Sequence, residues 1–392
     1  MKFPLCCALA SAAVLAPLAV SFEALPPRAR SHAESAIARP PAIPIGKTVN
    51  IPTPLGLPPV TYPGDNPPTA ETIALGRKLF FDSILSKDNT VSCASCHDPE
   101  AAFSDPRRYS PGVGEQLGNR QAMSVLNAAY HLTQFWDGRA HSLEDQAEGP
   151  IQNPVEMASS LIGVERKLAA HPEYPALFAK AFGPGRITYQ MVTKSIASYE
   201  RTLLSGNSPF DRYFYGKDKT AMSPSAIRGM EFFMDRTLVG PNCVSCHRIE
   251  EDYATFTEPR FHNTGVAWDE NKGVFNDLGR VAVTRATKDS GSFKVVTVRN
   301  IALTAPYMHD GSMKTLEEIV DFYLEGGRHN QYISGVMPHP PVTFVSKDKL
   351  PQAKADLVEF LKALTGEMPK DAVPPGYKPQ SRLPKTAVKA QR

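Results

Sequence analysis

The strongest periodic pattern in this chain lies near its end. Leu350, Ala353, Leu357, Phe360, Leu361 and Leu364 fall on one face of a 3.6-residue repeat, and Gly366 follows as a stop. This predicts an amphipathic closing helix. A second apolar face, Leu316, Ile319, Val320 and Tyr323, begins at Thr315-Leu-Glu-Glu318. There a hydroxyl and a carboxylate three residues apart can satisfy the free amides of a helix start. Ser142-Leu-Glu-Asp145 has the same pattern. Two aromatic segments, Ile73-Ala-Leu-Gly76-Arg-Lys-Leu-Phe80-Phe81 and Ile227-Arg-Gly229-Met-Glu-Phe232-Phe233, read as short helices and form a weak internal repeat. Strand-like runs are confined to Val281–Thr284 and Phe293–Val298. The prediction is a mainly α protein built from two similar modules.

Breaks in the pattern divide the chain further. Lys2 and the apolar run from Leu5 to Val20, with small residues such as Ala24 and Ala33 at plausible cleavage points, read as an export signal over 1–33. The next stretch, 34–68, contains Pro40, Pro41, Pro44, Pro52, Pro54, Pro58, Pro59, Pro63, Pro67 and Pro68, a density that forbids regular helix and predicts an extended arm. A boundary near Ser205 to Ser223 then separates modules at 69–210 and 211–368, and a tail from 369, rich in Pro and Lys beyond Pro374, reads as loose. No later run is long enough to span a membrane, so the exported form is expected in the periplasm without a membrane span. The net charge of +3 is too small for a nucleic-acid footprint.

Cysteine usage changes the picture most. Cys6 and Cys7 fall within the export signal, and the other four form Cys93-Ala-Ser-Cys96-His97 and Cys243-Val-Ser-Cys246-His247. Each of the two aromatic segments thus leads into a c-type haem attachment motif: two thiols add to the haem vinyl groups, and the adjacent imidazole ligates the iron. A four-cysteine zinc site or a redox dithiol does not explain a histidine after both pairs. Two covalent haems are expected, with His97 on the first iron and His247 on the second.

A haem with two strong protein ligands passes electrons, whereas one with an open face performs chemistry. Between His97 and Arg120 there is neither His nor Met, so the local loop offers the first iron no second ligand, and His131 and His141 lie further along. For the second iron Tyr323, Met308, His309, Met313 and Met337 are all candidates by residue type.

Beyond the two motifs, Phe135-Trp136-Asp137-Gly138-Arg139, Gln146, Pro150, Glu156-Met157 and Leu303-Thr304-Ala305-Pro306-Tyr307-Met308-His309-Asp310-Gly311 resemble the bacterial dihaem cytochrome c peroxidase and MauG family across roughly 69 to 366. The resemblance implies two cytochrome-c-like helical domains with a calcium ion near their junction. It also implies cleavage of hydrogen peroxide at the first haem and electron relay through the second. By the match, Trp136 is the residue between the haems, although on residue type alone it reads as a core aromatic. Glu156 matches the carboxylate over the open iron face, where peroxide must lose and regain a proton, and Gln146 and Pro150 line that pocket. Glu144 and Glu148 read as helix-surface charges. Thr304 and Pro306 match calcium-binding carbonyls, and Gln121 stands where the family has Asn.

Two departures point to the MauG branch. In most of the family's peroxidases a His in the loop after the first motif blocks the resting first haem, and here Tyr109-Ser-Pro-Gly-Val-Gly-Glu-Gln-Leu-Gly118 has none. The position of the usual methionine ligand of the second haem aligns with Tyr323, and MauG-type members have tyrosine there. An anionic phenolate favours ferric and higher states, where a thioether favours ferrous iron. The founding member of that branch passes oxidising power through a surface tryptophan two residues before the second motif. Pro241 occupies that place here, leaving Trp268, Tyr253 and Tyr307 as alternative exits. The expected partners are hydrogen peroxide and either a small electron-donor protein, a cytochrome or cupredoxin, or a protein oxidised at an aromatic side chain.

Overall fold

The computed structural model describes residues 42–236, 241–337 and 348–378. The expected export signal, with Cys6 and Cys7, and residues 379–392 of the tail lie outside them. The chain is mainly helical. Its first half carries α1 (Ala70–Phe81), α2 (Leu143–Gln152), α3 (Leu161–Ala170), α4 (Tyr174–Phe182) and α5 (Tyr189–Glu200). Its second half carries α6 (Pro209–Phe214), α7 (Pro224–Met234), α8 (Val281–Thr284), α9 (Leu316–Leu324) and α10 (Leu350–Ala363). Four two-residue strands, β1 (Phe261–His262), β2 (Trp268–Asp269), β3 (Val274–Phe275) and β4 (Phe293–Lys294), pair antiparallel as β1 with β4 and β2 with β3.

Buried apolar side chains sort into two clusters. One runs from Leu75 to Leu203 and the other from Phe210 to Leu364. In the first, α1 packs across α5; in the second, α7 packs across α10. Both crossings are made close by a glycine at the same place in the repeat. A Cβ on Gly76 would stand 1.8 Å from the Ser195 carbonyl oxygen, and one on Gly229 would stand 1.9 Å from that of Asp356. The weak sequence repeat is therefore a repeated helix-crossing device that sets each Cys-x-x-Cys-His segment beside its own core.

Local signals explain most element ends. Thr315 and Glu318 make the reciprocal box expected at the start of α9. At Ser142 only half of that box forms. The hydroxyl accepts from the Asp145 amide, but the Asp145 carboxylate reaches past the cap to the His141 amide at 2.8 Å. The strand expected at Val281–Thr284 is instead the single helical turn α8, closed by Arg285 at φ +62°, because four alternating residues without a paired neighbour cannot specify a ladder. The strand expected over Phe293–Val298 shortens to β4.

The proline-rich arm is extended and tied down. Lys194 Nζ donates to the carbonyls of Ala42 and Asp65, and the Tyr130 hydroxyl donates to that of Pro58. Gly56 O accepts from the Ala254 amide and from Arg299, so the arm also reaches the second core. Part of the tail expected to be loose is docked as well. The Asp371 and Ala372 carbonyls accept from Arg77 and Tyr199, and the Tyr377 ring meets Phe81 at 4.6 Å. Proline excludes regular hydrogen bonding within the segment but not these side-chain anchors.

Beneath Gly56, Arg299 and Asp211 form a bidentate pair with both side chains fully buried, at 2.8 Å for each bond. Asp211→Ala leaves the guanidinium charged and unpaired, with an expected loss of about 3–5 kcal/mol of stability. Denaturant unfolding of the haem-loaded protein measures it.

Candidate haem cavities

Each Cys-x-x-Cys-His segment lies in the wall of its own cavity. The first cavity, about 400 Å³, is lined by Cys93, Cys96, His97, Gln146, Pro150, Glu156 and Trp136. The second, about 240 Å³ and mostly apolar, is lined by Cys243, Cys246, His247, Tyr323, Met308 and Met337. In both segments the cysteines begin a 3₁₀ turn that brings the His amide onto the first Cys carbonyl at 2.9 Å.

The two histidines are held alike. His97 Nδ1 lies 3.3 Å from the Phe103 carbonyl and His247 Nδ1 lies 3.0 Å from that of Phe256. An Nδ1–H bonded to a carbonyl leaves the Nε2 lone pair for a metal, the usual orientation of a ligating imidazole. Phe80 of α1 flanks His97 at 6.4 Å and Phe233 of α7 flanks His247 at 6.3 Å. Burial pushes the Cys96 thiol up to about 11 and Cys243 up to about 12. The two pairs face different cavities. Pairs in separate walls do not form one four-cysteine zinc site, and each has a histidine directly after it, as thioether attachment requires. The residues present therefore fit one c-type haem per cavity.

In the first cavity Glu156 is aimed by the turn 153–157, whose carbonyl at Glu156 accepts from the Val113 amide at 2.7 Å. Its Oε1 accepts from Asn153 Nδ2 at 2.6 Å, and no described residue bonds Oε2. Burial raises the Glu156 carboxyl above its ordinary range, against the pull of Asn153 and Arg139. That combination suits a group that must both take and return a proton. Asn153 was not legible in advance, since its role depends on a three-residue turn. Glu200 was also missed. It ends α5 in the wall of this cavity, and burial pushes it up to about 8. A carboxylate beside the apolar face of Val192, Ile196 and Tyr199 was the available signal. Glu144, expected as a surface charge, is bound by Arg201 and Asn66 in a half-buried network that fastens α2 to α5.

Trp136 borders both cavities. Its indole N–H donates to the Gln121 carbonyl at 2.8 Å and its ring meets His309 edge-on at 6.3 Å. His309 in turn stacks on Phe293 at 3.7 Å. Of the other ligand candidates, Met313 is buried in the second core and lines neither cavity, and His141 is exposed and also lines neither. His131 borders both cavities. Tyr323 is half-buried, its hydroxyl makes no hydrogen bond among the described residues, and burial raises its phenol far above the ordinary value. Only a cation facing it would hold it as phenolate.

Gln121, Thr304 and Pro306 also reach the wall of the second cavity. The Gln121 amide nitrogen donates to Ser104 and Asp105, and no described residue donates to its side-chain oxygen or to the carbonyls of Thr304 or Pro306. Oxygen is the donor type that a hard cation takes. Among the possible exits, Trp268 packs on Phe275 at 5.0 Å in the β2–β3 hairpin, away from both cavities, and Tyr307 donates to the Ile301 carbonyl.

The same organisation recurs in known proteins. The family model for di-haem cytochrome c peroxidases matches residues 70–219. The methylamine utilization protein MauG of Methylorubrum extorquens is 38% identical over 311 residues, covering 79% of this chain and 82% of that protein. The chain belongs to the di-haem cytochrome c peroxidase family. The cytochrome c551 peroxidase of Nitrosomonas europaea is 36% identical over 79% of this chain and 84% of its own length. A crystal structure of a MauG-like protein associated with microbial copper homeostasis superposes with a TM-score of 0.71 at 33% identity, covering 82% of this chain and 96% of that one. As a member of this family the chain is a haem-dependent peroxidase with two c-type haems. No helix among its described residues is long and apolar enough to cross a membrane.

Proposed function

We propose that this di-haem peroxidase is of the MauG type, a periplasmic enzyme that uses hydrogen peroxide to oxidise an aromatic side chain of a partner protein. The observation that carries this reading is Tyr323, a phenol without a hydrogen-bond partner in the same cavity wall as His247. The two cores support a division into haem domains 69–210 and 211–368.

When bound, each haem would supply a redox-active iron. Cys93 and Cys96 would tether the first haem and His97 would ligate it; Cys243, Cys246, His247 and Tyr323 would hold the second. Glu156 takes a proton from peroxide on its free Oε2 and returns it to the departing oxygen, while Asn153 fixes Oε1. Gln146 and Pro150 shape the space above it, and Pro150 keeps one amide out of that wall. Trp136, common to both cavity walls, carries charge between them. Gln121, Thr304 and Pro306 would hold calcium.

Met308 and Met337 share the second cavity wall and favour a second reading, an ordinary cytochrome c peroxidase fed by a small cytochrome or cupredoxin. Electron paramagnetic resonance of the as-isolated ferric protein bears on both. The expected spectrum has one high-spin component, from the open first haem, and one low-spin component. Two low-spin components contradict an open first haem.

A further inference from the structure

The wall between the cavities holds two polar groups that no role above uses. Lys294, on β4, is only 6% exposed, and its backbone amide donates to the Trp136 carbonyl at 2.8 Å. Its ammonium donates to the Thr133 carbonyl at 2.9 Å and meets His131 Nδ1 at 3.1 Å. No carboxylate pairs with it among the described residues, and burial alone lowers it to about 7. With Lys294 charged its ammonium has donors only, so His131 Nδ1 accepts and the ring proton sits on Nε2. That Nε2 is buried and completes no hydrogen bond among the described residues, although the Gln134 side chain lies beside the ring. One ammonium hydrogen and one imidazole N–H therefore lack an acceptor at the same seam.

A buried cation without a counter-charge and a buried donor without an acceptor are both unfavourable, and one anion relieves both. Lys294 lines the second cavity and His131 lines both. The other full cation in the second wall, Arg299, is already neutralised by Asp211. Among the groups this family requires in that cavity, the haem itself carries carboxylates, its two propionates.

We propose that Lys294 and His131 form the propionate-binding corner of the second haem cavity, Lys294 as counter-ion and His131 Nε2–H as hydrogen-bond donor. The inference rests on the di-haem reading and goes beyond it, because it assigns two positioning residues that set the electronics of the second haem without touching its iron. A positive charge held beside a propionate favours ferrous over ferric iron.

The test uses the haem-loaded protein, with covalent haem counted first. Lys294→Gln is expected to lower the midpoint potential of the second haem in a spectroelectrochemical titration and to shift its propionate-bending band in resonance Raman. Lys294→Arg is expected to restore both. His131→Phe keeps the charge, so its band moves with a smaller change in potential, and this variant decides the matter if Lys294→Gln does not accumulate. Unmoved bands in variants that retain two haems overturn the proposal. A shifted potential with an unmoved band overturns it too, because the pair then holds a free small anion. A chain without covalent haem contradicts the di-haem reading itself.

Discussion

Glu156→Gln is expected to slow peroxide consumption by about 10²–10⁴-fold, the usual contribution of a positioned acid–base group. The substitution keeps the size of the side chain and the possibility of a bond to Asn153 Nδ2, now through the amide oxygen, so the turn 153–157 retains its anchor. What is lost is an atom that can accept a proton from peroxide. The pH profile separates this from a structural effect. Burial raises the Glu156 carboxyl, so its charged form, the one that accepts the proton, becomes populated only above the ordinary carboxylate range. Turnover by the unaltered enzyme should therefore rise with pH through that raised value, and the Gln variant should lack the rising limb. Equal pH profiles in the two proteins would assign the proton to another group. Glu200 is the next titratable carboxyl in that wall.

Tyr323→Phe is expected to leave haem attachment and peroxide binding at the first haem intact while changing the second. With the phenolate gone, its spectrum changes from six-coordinate to five-coordinate. Its potential rises, on the order of hundreds of millivolts within the ≈ 0.8 V that axial ligands span. Capture of the ligand position by Met308 or Met337 would give a low-spin spectrum with an even higher potential. Either result separates Tyr323 from a residue that merely packs. An unchanged spectrum removes it from the iron. The helix it stands on is secured independently, since Leu316, Ile319 and Val320 remain buried in the second core and the Thr315 box starts α9.

How far the chain could be read beforehand follows from how local each determinant is. The two Cys-x-x-Cys-His segments needed no fold to be recognised, because their chemistry is contained in five consecutive residues. The stripe from Leu350 to Leu364 is nearly coextensive with α10, since fourteen residues are enough for a helical period to declare itself. Four residues at Val281 were not enough, and the strand expected there is a helical turn. Proline density pointed to an extended arm but could not say that Gly56 would sit over a buried Arg299–Asp211 pair, contacts spanning 243 residues of sequence in the case of Arg299 and Gly56. The repeat was visible as aromatic similarity, whereas its physical cause, Gly76 and Gly229 at two close crossings, appears only once the partner helices are in place.

The candidate site divides in the same way. Tyr323 was read both as a packing residue on an apolar face and as a ligand; it packs against the second core and also lines the second cavity. Glu156 carried no local signal of burial, and only the resemblance singled it out. Lys294 did carry one, as a lysine inside an apolar run, but its meeting with His131 joins positions 163 apart.

The most direct test of the central claim adds hydrogen peroxide, in stoichiometric amount, to the as-isolated ferric protein with no electron donor, following both haems by absorption and electron paramagnetic resonance. If an open first haem is coupled through Trp136 to a tyrosine-ligated second haem, both ferric signals fall together and stay low for a long period. A change at one haem only, followed by rapid return and a requirement for prior half-reduction before turnover, contradicts it.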